Sequence, residues 1–329
     1  MTTPDGVVLL EASGVSKRFA VGRRVIGAAR RMVHAVDGVS LCVVRGETLG
    51  IVGESGCGKS TLGRCLMRLH DVSEGSVVFD GINITHRSRN ALRPIRRRMQ
   101  MVFQDPAASL NPRYRVRDLI AEPMRIHATV PEREIGDRVA RLLDLVGLRR
   151  GHMDRFPHEF SGGQRQRIGI ARAIALEPDL IVADEPVSAL DVSVQAQVVN
   201  LFQDLQERLG LTYVFIAHDL SIVRQITDRV AVMYLGSIVE TGPTDLVFTS
   251  PSHPYTMALI SAVPMPDPDP ARRPRRIILT GDVPNPISPP SGCRFHPRCP
   301  RAQERCRAER PALRALDDGR DCACHFPET

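Results

Sequence analysis

The sequence TLGIVGESGCGKST, residues 48–61, decides the fold. It begins with a short apolar run, residues 48–52, that predicts a buried strand, and apolar residues recur at helical spacing over 62–69. Between them, residues 53–60 fit the pattern glycine, four residues, Gly-Lys-Ser, in the strand-to-helix context that this phosphate-loop motif requires. Glycines let main-chain N–H groups and a helix N-terminus face a polyphosphate. The stretch therefore predicts a nucleotide site, with Lys59 on the β- and γ-phosphates and Ser60 on Mg²⁺. The predicted contacts are Gly53, Glu54, Ser55, Gly56, Cys57, Gly58, Lys59, Ser60 and Thr61.

Composition restricts the classes of function. The chain has 329 residues, enough for one large domain and an appendage, of which 43% are hydrophobic and 25% charged. No apolar run approaches the ~18 residues that span a bilayer, and residues 1–14 do not fit a signal peptide. A net charge of +7 suits anionic partners without selecting one. Tryptophan is absent and there are four tyrosines, which argues against an aromatic platform for stacking nucleic-acid bases.

Three further strands are predicted near the phosphate loop. They are residues 7–12, 39–44 and 75–81, the last ending in an Asp-Gly turn. Phe19 follows the first of them and either stacks on a nucleotide base or is an ordinary core or edge residue. Four arginines at positions 23 to 31 form a charge run that is either solvated or in contact with an anionic partner.

The middle of the chain predicts a strand followed by a helical segment. Residues 99–103 predict the strand, and Gln104 directly after it either projects into a site or makes a turn. Over 116–146 apolar residues recur with helical periodicity, which we expect Pro123 and Pro131 to break. The sequence therefore predicts a separate small helical subdomain.

A second motif of the anion-binding type begins at Ser161. The residues Ser161-Gly162-Gly163-Gln164 precede an amphipathic helix that Ser161 can cap, and a helix N-terminus attracts anions. Two phosphate-type motifs on one chain indicate either two sites or two halves of one shared site.

Paired carboxylates follow the next predicted strand, residues 179–183. At the C-terminal edge of a parallel sheet, Asp184 can hold Mg²⁺ and Glu185 can polarise an attacking water. Residues 188–191 predict a tight turn into a helix. His218 ends another predicted strand, where it can hydrogen-bond a γ-phosphate or serve as a structural histidine.

Together these motifs closely resemble those of the ATP-binding-cassette (ABC) ATPases, over about residues 7 to 245. In chain order they match the Walker A loop (Gly53 to Ser60), the Q-loop (Gln104), the signature (Ser161 to Gln164), Walker B (Leu180 to Asp184), the glutamate after it (Glu185), the D-loop (Ser188 to Asp191) and the switch histidine (His218). The resemblance implies an α/β fold of the P-loop NTPase class: a RecA-like core with a helical subdomain, at about 105–165, and an antiparallel β subdomain.

The resemblance also implies roles for individual residues. ATP is expected between two cassettes in a head-to-tail dimer, enclosed by Walker A of one chain and the signature of the other. Phe19 then becomes the base-stacking aromatic residue of the A-loop. Glu185 and His218, which degenerate cassettes often lose, are both present, so a competent ATPase is expected. Catalytic roles are assigned to Glu185, His218, Gln104 and Lys59, Mg²⁺ contacts to Ser60, Gln104 and Asp184, and further nucleotide contacts to Asp191 and the signature residues.

Other segments resemble the ATPases of oligopeptide, dipeptide and nickel importers in particular. They are residues 104–113 (QDPAASLNPR), 159–167 (EFSGGQRQR), 252–256 (SHPYT) and 292–300 (GCRFHPRCP). This resemblance implies an ABC ATPase domain at 1–250 and an importer-type extension at 251–329, peripheral to the cytoplasmic face of the cell membrane. The implied partners are a second ABC ATPase subunit, identical or a paralogue, two membrane permease subunits and, indirectly, an extracytoplasmic peptide-binding protein, with no nucleic acid. The alternative is a soluble ABC ATPase acting on nucleic acid or ribosomes, a class that usually carries two cassettes or a long coiled-coil insertion.

The C-terminal part contains five of the eight cysteines. Without a signal peptide, reduced thiols or metal ligands are expected rather than disulfides. Four thiolates in a region with little apolar core suggest a metal staple, although their spacing alone does not name the metal. The resembled family implies a [4Fe-4S] cluster on Cys293, Cys299, Cys306 and Cys324, with Cys322 as an extra thiol; zinc and free thiols are the alternatives. Residues 264–290, rich in proline, predict an extended connector.

Overall fold

The structure, a computed structural model, divides into two compact units. It describes residues 6–21, 31–263 and 276–328. The first unit contains the described residues up to 44, residues 49–86 and those from 218 onward, and the second contains 45–48 and 87–217. None of the helices within the described residues is long and apolar enough to cross a membrane.

In the first unit, an antiparallel sheet is built around one long strand pair. Its strands lie in the order β2 (Arg31–Val44), β1 (Val8–Val21), β4 (Glu74–Phe79) and β5 (Ile82–Asn83). The β1–β2 pair is longer than predicted because its more polar ends also pair, as in Phe19 with Val33. The predicted Asp-Gly turn joins β4 to β5, with φ of 50° at Asp80 and 73° at Gly81. Positive φ at both central residues is what a tight hairpin turn needs.

The phosphate-loop strand, apart from Thr48, belongs to a second sheet of the same unit. β3 (Thr48–Val52) is buried along its whole length and pairs in parallel with β9 (Arg229–Tyr234). β10 (Ser237–Pro243) pairs antiparallel with β9, β12 (Asp321–Cys322) with β10, and β11 (Arg314–Ala315) with β12, so the end of the chain extends this sheet. The helices described in this unit are α1 (Lys59–Leu66), α8 (Leu220–Ile226), α9 (Thr244–Thr249), α10 (Pro254–Ser261) and α11 (Glu304–Ala308), with a 3-10 helix at His296–Arg298.

The second unit contains a parallel sheet with helices around it. Its strands lie in the order β6 (Met99–Val102), β7 (Leu180–Asp184) and β8 (Thr212–Ile216). Every residue of β7 and β8 is buried, which explains their continuous apolar sequences. The helices described here are α2 (Arg89–Arg98), α3 (Pro106–Ser109), α4 (Val116–His127), α5 (Glu132–Leu145), α6 (Gly162–Ile174) and α7 (Val192–Leu209), with 3-10 helices at Arg150–His152 and Pro157–Glu159.

The helical segment differs from the prediction at one proline. The prediction that Pro123 breaks the helix is wrong, because α4 runs through it. A proline lacks the N–H that would bond the carbonyl four residues back. The buried side chains of Leu119 and Ile120 on the same helix provide packing that offsets this loss. Pro131 does interrupt the helical segment, since α5 begins directly after it.

The predicted connector is described only in part. Residues 276–290 contain no helix or strand, as expected of an extended segment. The rest of the connector, residues 264–275, and the arginines at 23, 24 and 30 lie outside the described residues.

Candidate functional site

The phosphate loop folds as a turn that requires glycine at two positions. Gly53 has a φ of 152°, and a Cβ atom there would lie 2.1 Å from the carbonyl oxygen of Met233. Gly58, which precedes α1, has a φ of 107°, and a Cβ atom there would lie 2.0 Å from the carbonyl oxygen of Ala35. Both contacts are with main-chain atoms, which cannot move aside as a flexible side chain could. The loop therefore has the close backbone packing for which the motif uses glycine.

The side chain of Lys59 folds back over this loop. Its Nζ donates to the carbonyl oxygen of Gly53 at 2.8 Å and to that of Glu54 at 3.1 Å, and the residue is 3% exposed. Ser60 and Thr61 follow in the first turn of α1, where main-chain N–H groups have no partner within the helix. A buried cation beside such donors is a combination that binds phosphate.

In the second unit, two predicted catalytic side chains contact each other. Gln104, directly after β6, donates from Nε2 to Oε2 of Glu185 at 2.9 Å. Glu185 follows β7 and its N–H donates to the carbonyl oxygen of Ile216 at 2.9 Å. Its φ of 47° is uncommon for a residue other than glycine. Backbone strain of this kind persists where the surrounding structure fixes a functional side chain.

The second anion-type motif forms the N-terminus of α6. Ser161 Oγ accepts the N–H of Gln164 at 3.3 Å, and Gln164 Oε1 accepts the N–H of Ser161 at 3.1 Å, which is a capping box. Gly162 and Gly163 are the first residues of the helix, and a Cβ at Gly163 would lie 2.4 Å from Cγ1 of Val194. The motif is thus a fixed helix N-terminus whose Ser161 is exposed.

The remaining predicted nucleotide contacts are divided between the units. In the second unit, Asp184 ends β7 and is 1% exposed, and Asp191 is the exposed residue before α7. His218 is exposed and belongs, with Lys59, to the first unit. That these groups act on a single Mg²⁺-ATP stays a prediction.

Two regions of this chain match known protein families. Residues 36–188 match the family described as ABC transporter, and residues 239–306 match the oligopeptide/dipeptide transporter C-terminal region. The chain is 50% identical to the oligopeptide transport ATP-binding protein AppF of Bacillus subtilis, with 99% of each chain covered. It is 50% identical to the dipeptide transport ATP-binding protein DppF of Haemophilus influenzae, with 97% of each covered. It is also 51% identical to the oligopeptide transport ATP-binding protein OppF of Salmonella typhimurium, over 93% of this chain and 92% of that one.

This chain belongs to the ABC transporter ATP-binding family. As an ABC ATPase it also resembles solved cassettes, among them a dimeric ATP-binding cassette in a post-hydrolysis state bound to ADP and Pi. That structure has a TM-score of 0.64 and 28% sequence identity, and the match covers 72% of this chain and 99% of the other. The predicted fold class is confirmed, and nothing in these relatives favours the alternative of an ATPase acting on nucleic acid.

The predicted A-loop residue of this ABC ATPase lies in the β1–β2 pair. Phe19 is partly exposed, so it is not a fully buried core residue. Its ring lies edge-on to that of His70, with centroids 5.6 Å apart, and Lys17 Nζ lies 5.0 Å from its centroid. These contacts hold the ring in place, and stacking on a nucleotide base stays a prediction.

Sequence reasoning missed two residues that hold the Walker A loop. The hydroxyl of Tyr255 accepts the N–H of Glu54 at 2.9 Å. Arg298 donates to both carboxylate oxygens of Glu54, at 2.8 and 3.1 Å. Tyr255 and Arg298 are 201 and 244 residues from Glu54 in sequence, so no local pattern could have connected them.

Four cysteines of the C-terminal region line one small cavity, and the remaining one does not. The lining thiols are Cys293, Cys299, Cys306 and Cys324. Burial raises the pKa of Cys293 to about 11. Cys322 is fully buried in β12, where burial raises its pKa above the usual range. Among the described residues, no group of three or more His, Cys, Asp or Glu side chains is arranged to hold a metal ion.

Proposed function

We propose that this chain is the ATP-hydrolysing subunit that energises the import of di- or oligopeptides through a membrane ABC transporter. The contact between Gln104 and Glu185 carries the hydrolytic part of the proposal, since a cassette that hydrolyses ATP needs a carboxylate held in place at the end of Walker B. The peptide-transport names of relatives at 50–51% identity support the cargo class. The match at residues 239–306 extends this support into the C-terminal region.

The proposed chemistry assigns a role to each group of the site. Lys59 and the N–H groups of the Walker A loop bind the β- and γ-phosphates of ATP. Mg²⁺, for which Ser60, Gln104 and Asp184 are the proposed contacts, would neutralise charge that develops on the phosphates. Glu185, oriented by its hydrogen bond from Gln104, polarises the attacking water, and His218 hydrogen-bonds the γ-phosphate.

The assembly follows from the incomplete nature of each cassette. A single chain has one Walker A loop and one signature helix N-terminus. We therefore propose a head-to-tail dimer in which Ser161 to Gln164 of one cassette, together with Asp191, contact the ATP bound by the other. ATP binding closes this dimer, and hydrolysis reopens it. Two permease subunits, reached from the cytoplasmic face of the membrane through the helical subdomain, receive this motion, and an extracytoplasmic binding protein delivers the peptide.

The four-cysteine cavity is the proposed site of a [4Fe-4S] cluster. Four thiols that line one cavity are the donor set such a cluster uses. Zinc uses the same donors and is the alternative occupant. A group bound there would cross-link residues 293–324, a region with short helices and strands. Its role would then be structural, as a staple of the extension.

The decisive experiment is ATP-dependent peptide uptake. The chain is co-expressed with its membrane subunits and its partner cassette, and the purified complex is reconstituted into vesicles with the peptide-binding protein. Dipeptides, longer peptides and Ni²⁺ are offered in parallel as cargo. We expect uptake of peptides that needs ATP and that disappears in a complex containing Glu185→Gln.

Two outcomes would contradict this function. ATP hydrolysis that no peptide stimulates, in a complex that transports none, would remove the cargo assignment. Co-purification with RNA or DNA in place of permease subunits would favour the soluble ABC ATPase instead.

A further inference from the structure

The Walker A loop of this chain contains an acidic side chain in a loop built to bind an anion. Glu54 lies directly after Gly53, and its main-chain carbonyl oxygen accepts a hydrogen bond from Lys59 at 3.1 Å. A carboxylate close to bound phosphates repels them, and the repulsion is stronger where protein excludes water. The Glu54 side chain is only 27% exposed, so solvent screens its charge incompletely. The loop therefore needs a cation that neutralises Glu54.

Arg298 supplies this cation from the C-terminal extension. Its guanidinium makes the two-pronged ion pair with Glu54, and its side chain is 9% exposed. The guanidinium carbon also lies 5.9 Å from the ring centroid of Tyr234 on β9. A planar fork matched to a carboxylate, held on an aromatic ring, gives both charge and orientation. Arg298 is thus held in place by two groups of the chain itself.

A second contact from the extension holds the main chain of the same residue. The hydroxyl of Tyr255, which is fully buried, accepts the Glu54 N–H. The ring of Tyr255 packs against Tyr234 and Phe295, with centroids 4.7 and 5.4 Å away. The start of the loop is therefore held at both its side chain and its main chain by one packed aromatic group.

We propose that Arg298 is a positioning residue for ATP binding: it neutralises the Glu54 carboxylate and fixes the Walker A loop in its phosphate-binding form. This inference rests on the proposed function, because it requires that the Walker A loop binds ATP. It gives the C-terminal extension a direct part in the nucleotide site. Arg298 acts through Glu54, so its effect depends on the presence of that carboxylate.

The test is a double-mutant cycle on the full-length chain. The variants are Arg298→Gln, Glu54→Gln and the two combined, and the measurement is the dissociation constant of ATP by titration calorimetry. Arg298→Gln leaves the carboxylate without its cation, and we expect ATP binding to weaken roughly 5- to 20-fold, as for loss of a partly screened ionic hydrogen bond. Glu54→Gln removes the repulsion itself and is the reference arm of the cycle, whatever its own ATP affinity. The combined variant should bind ATP within about threefold of Glu54→Gln alone, because no carboxylate then needs a partner.

Steady-state kinetics separates positioning from general damage. In Arg298→Gln the KM for ATP should rise in parallel with the dissociation constant while kcat stays within about twofold. The matched control is Arg305→Gln, which removes an exposed ion pair of the same extension, that of Arg305 with Glu309. Its ATP affinity should not change. Iron and zinc content is measured on every variant, and equal content shows that the cysteine region is intact.

Three results would overturn the proposal. They are unchanged ATP affinity in Arg298→Gln, a combined variant that binds ATP much more weakly than Glu54→Gln alone, or a loss confined to kcat. If Arg298→Gln does not fold, Arg298→Lys answers the same question: lysine keeps the charge but loses the two-pronged pairing, so ATP binding should weaken and should recover when Glu54→Gln is added. A loss in a folded Arg298→Lys chain that Glu54→Gln does not relieve would refute action through the Glu54 carboxylate. The proposed function is tested separately, by whether the wild-type chain binds ATP at all.

Discussion

The buried histidine of the extension should make the chain less stable in acid. His253 is 1% exposed, and its Nδ1 accepts the N–H of Tyr255 at 3.0 Å. Burial lowers the pKa of its ring from 6.5 to about 3. Between these two values the unfolded chain binds more protons than the folded chain, so stability falls as the pH drops below 6.5. At pH 5, which is about 1.5 pH units below the unfolded pKa, this single group removes about 2 kcal/mol of the free energy of unfolding.

The assay compares the wild type with His253→Asn at several pH values. Asparagine offers an oxygen acceptor to the Tyr255 N–H but does not titrate. Free energies of unfolding come from urea titrations followed by circular dichroism at pH 8, 7, 6 and 5. We expect the free energy of unfolding of the wild type, minus that of His253→Asn, to decrease by about 2 kcal/mol from pH 8 to pH 5. The control is His86→Asn, the same substitution at an exposed histidine. A difference for His253→Asn that stays constant within about 0.5 kcal/mol would refute the reasoning.

Four further substitutions test other parts of the structure. Glu240→Gln should lower the free energy of unfolding by about 3 kcal/mol, because the fully buried carboxylate accepts two main-chain N–H groups at 2.8 and 2.9 Å and an amide would turn one donor toward another. The control Glu309→Gln, at an exposed glutamate paired with Arg305, should leave the free energy of unfolding unchanged in the same urea assay. Glu185→Gln should lower the rate of phosphate release by about 10²- to 10⁴-fold while ATP affinity is kept, and normal turnover would remove its assignment as the base. Lys59→Ala should weaken ATP binding itself by about tenfold or more, and unchanged affinity in calorimetry would count against the phosphate-loop assignment. Cys293→Ser should release bound iron or zinc from anaerobically purified chain, and full retention would exclude this residue from the ligand set.

Local sequence patterns predicted the parts of the fold whose causes are local. The strand at 48–52 was predicted at its observed bounds, because a fully buried parallel strand must be apolar throughout. The capping of α6 by Ser161 was predicted for a similar reason, since a cap needs only a few consecutive residues. Gln104 and Glu185, which contact each other, are 81 residues apart in sequence, and only the family resemblance indicated that both residues serve one site.

The errors and omissions have non-local causes. Pro123 is tolerated in α4 because tertiary packing of its apolar neighbours outweighs one missing hydrogen bond, and such packing is not visible in a local pattern. β1 and β2 were predicted too short, since polar residues in an antiparallel pair with one solvated side do not give an apolar run. Arg298 and Tyr255 looked like parts of a C-terminal motif, and only the fold shows them on the Walker A loop.

The position of the extension gives these contacts a common physical meaning. The predicted boundary near residue 250 separates two sequence modules, yet the described residues on both sides pack in one unit with the Walker A loop. β12 adds to β10, and Glu240 on β10 holds the main chain that leads into α10. A loop with glycines at positive φ is inherently adaptable, and main-chain donors bind phosphate well only when they are held in place. A cassette that holds this loop through Tyr255 and Arg298 meets that requirement with its own side chains, so less ordering is left for the nucleotide to provide on binding.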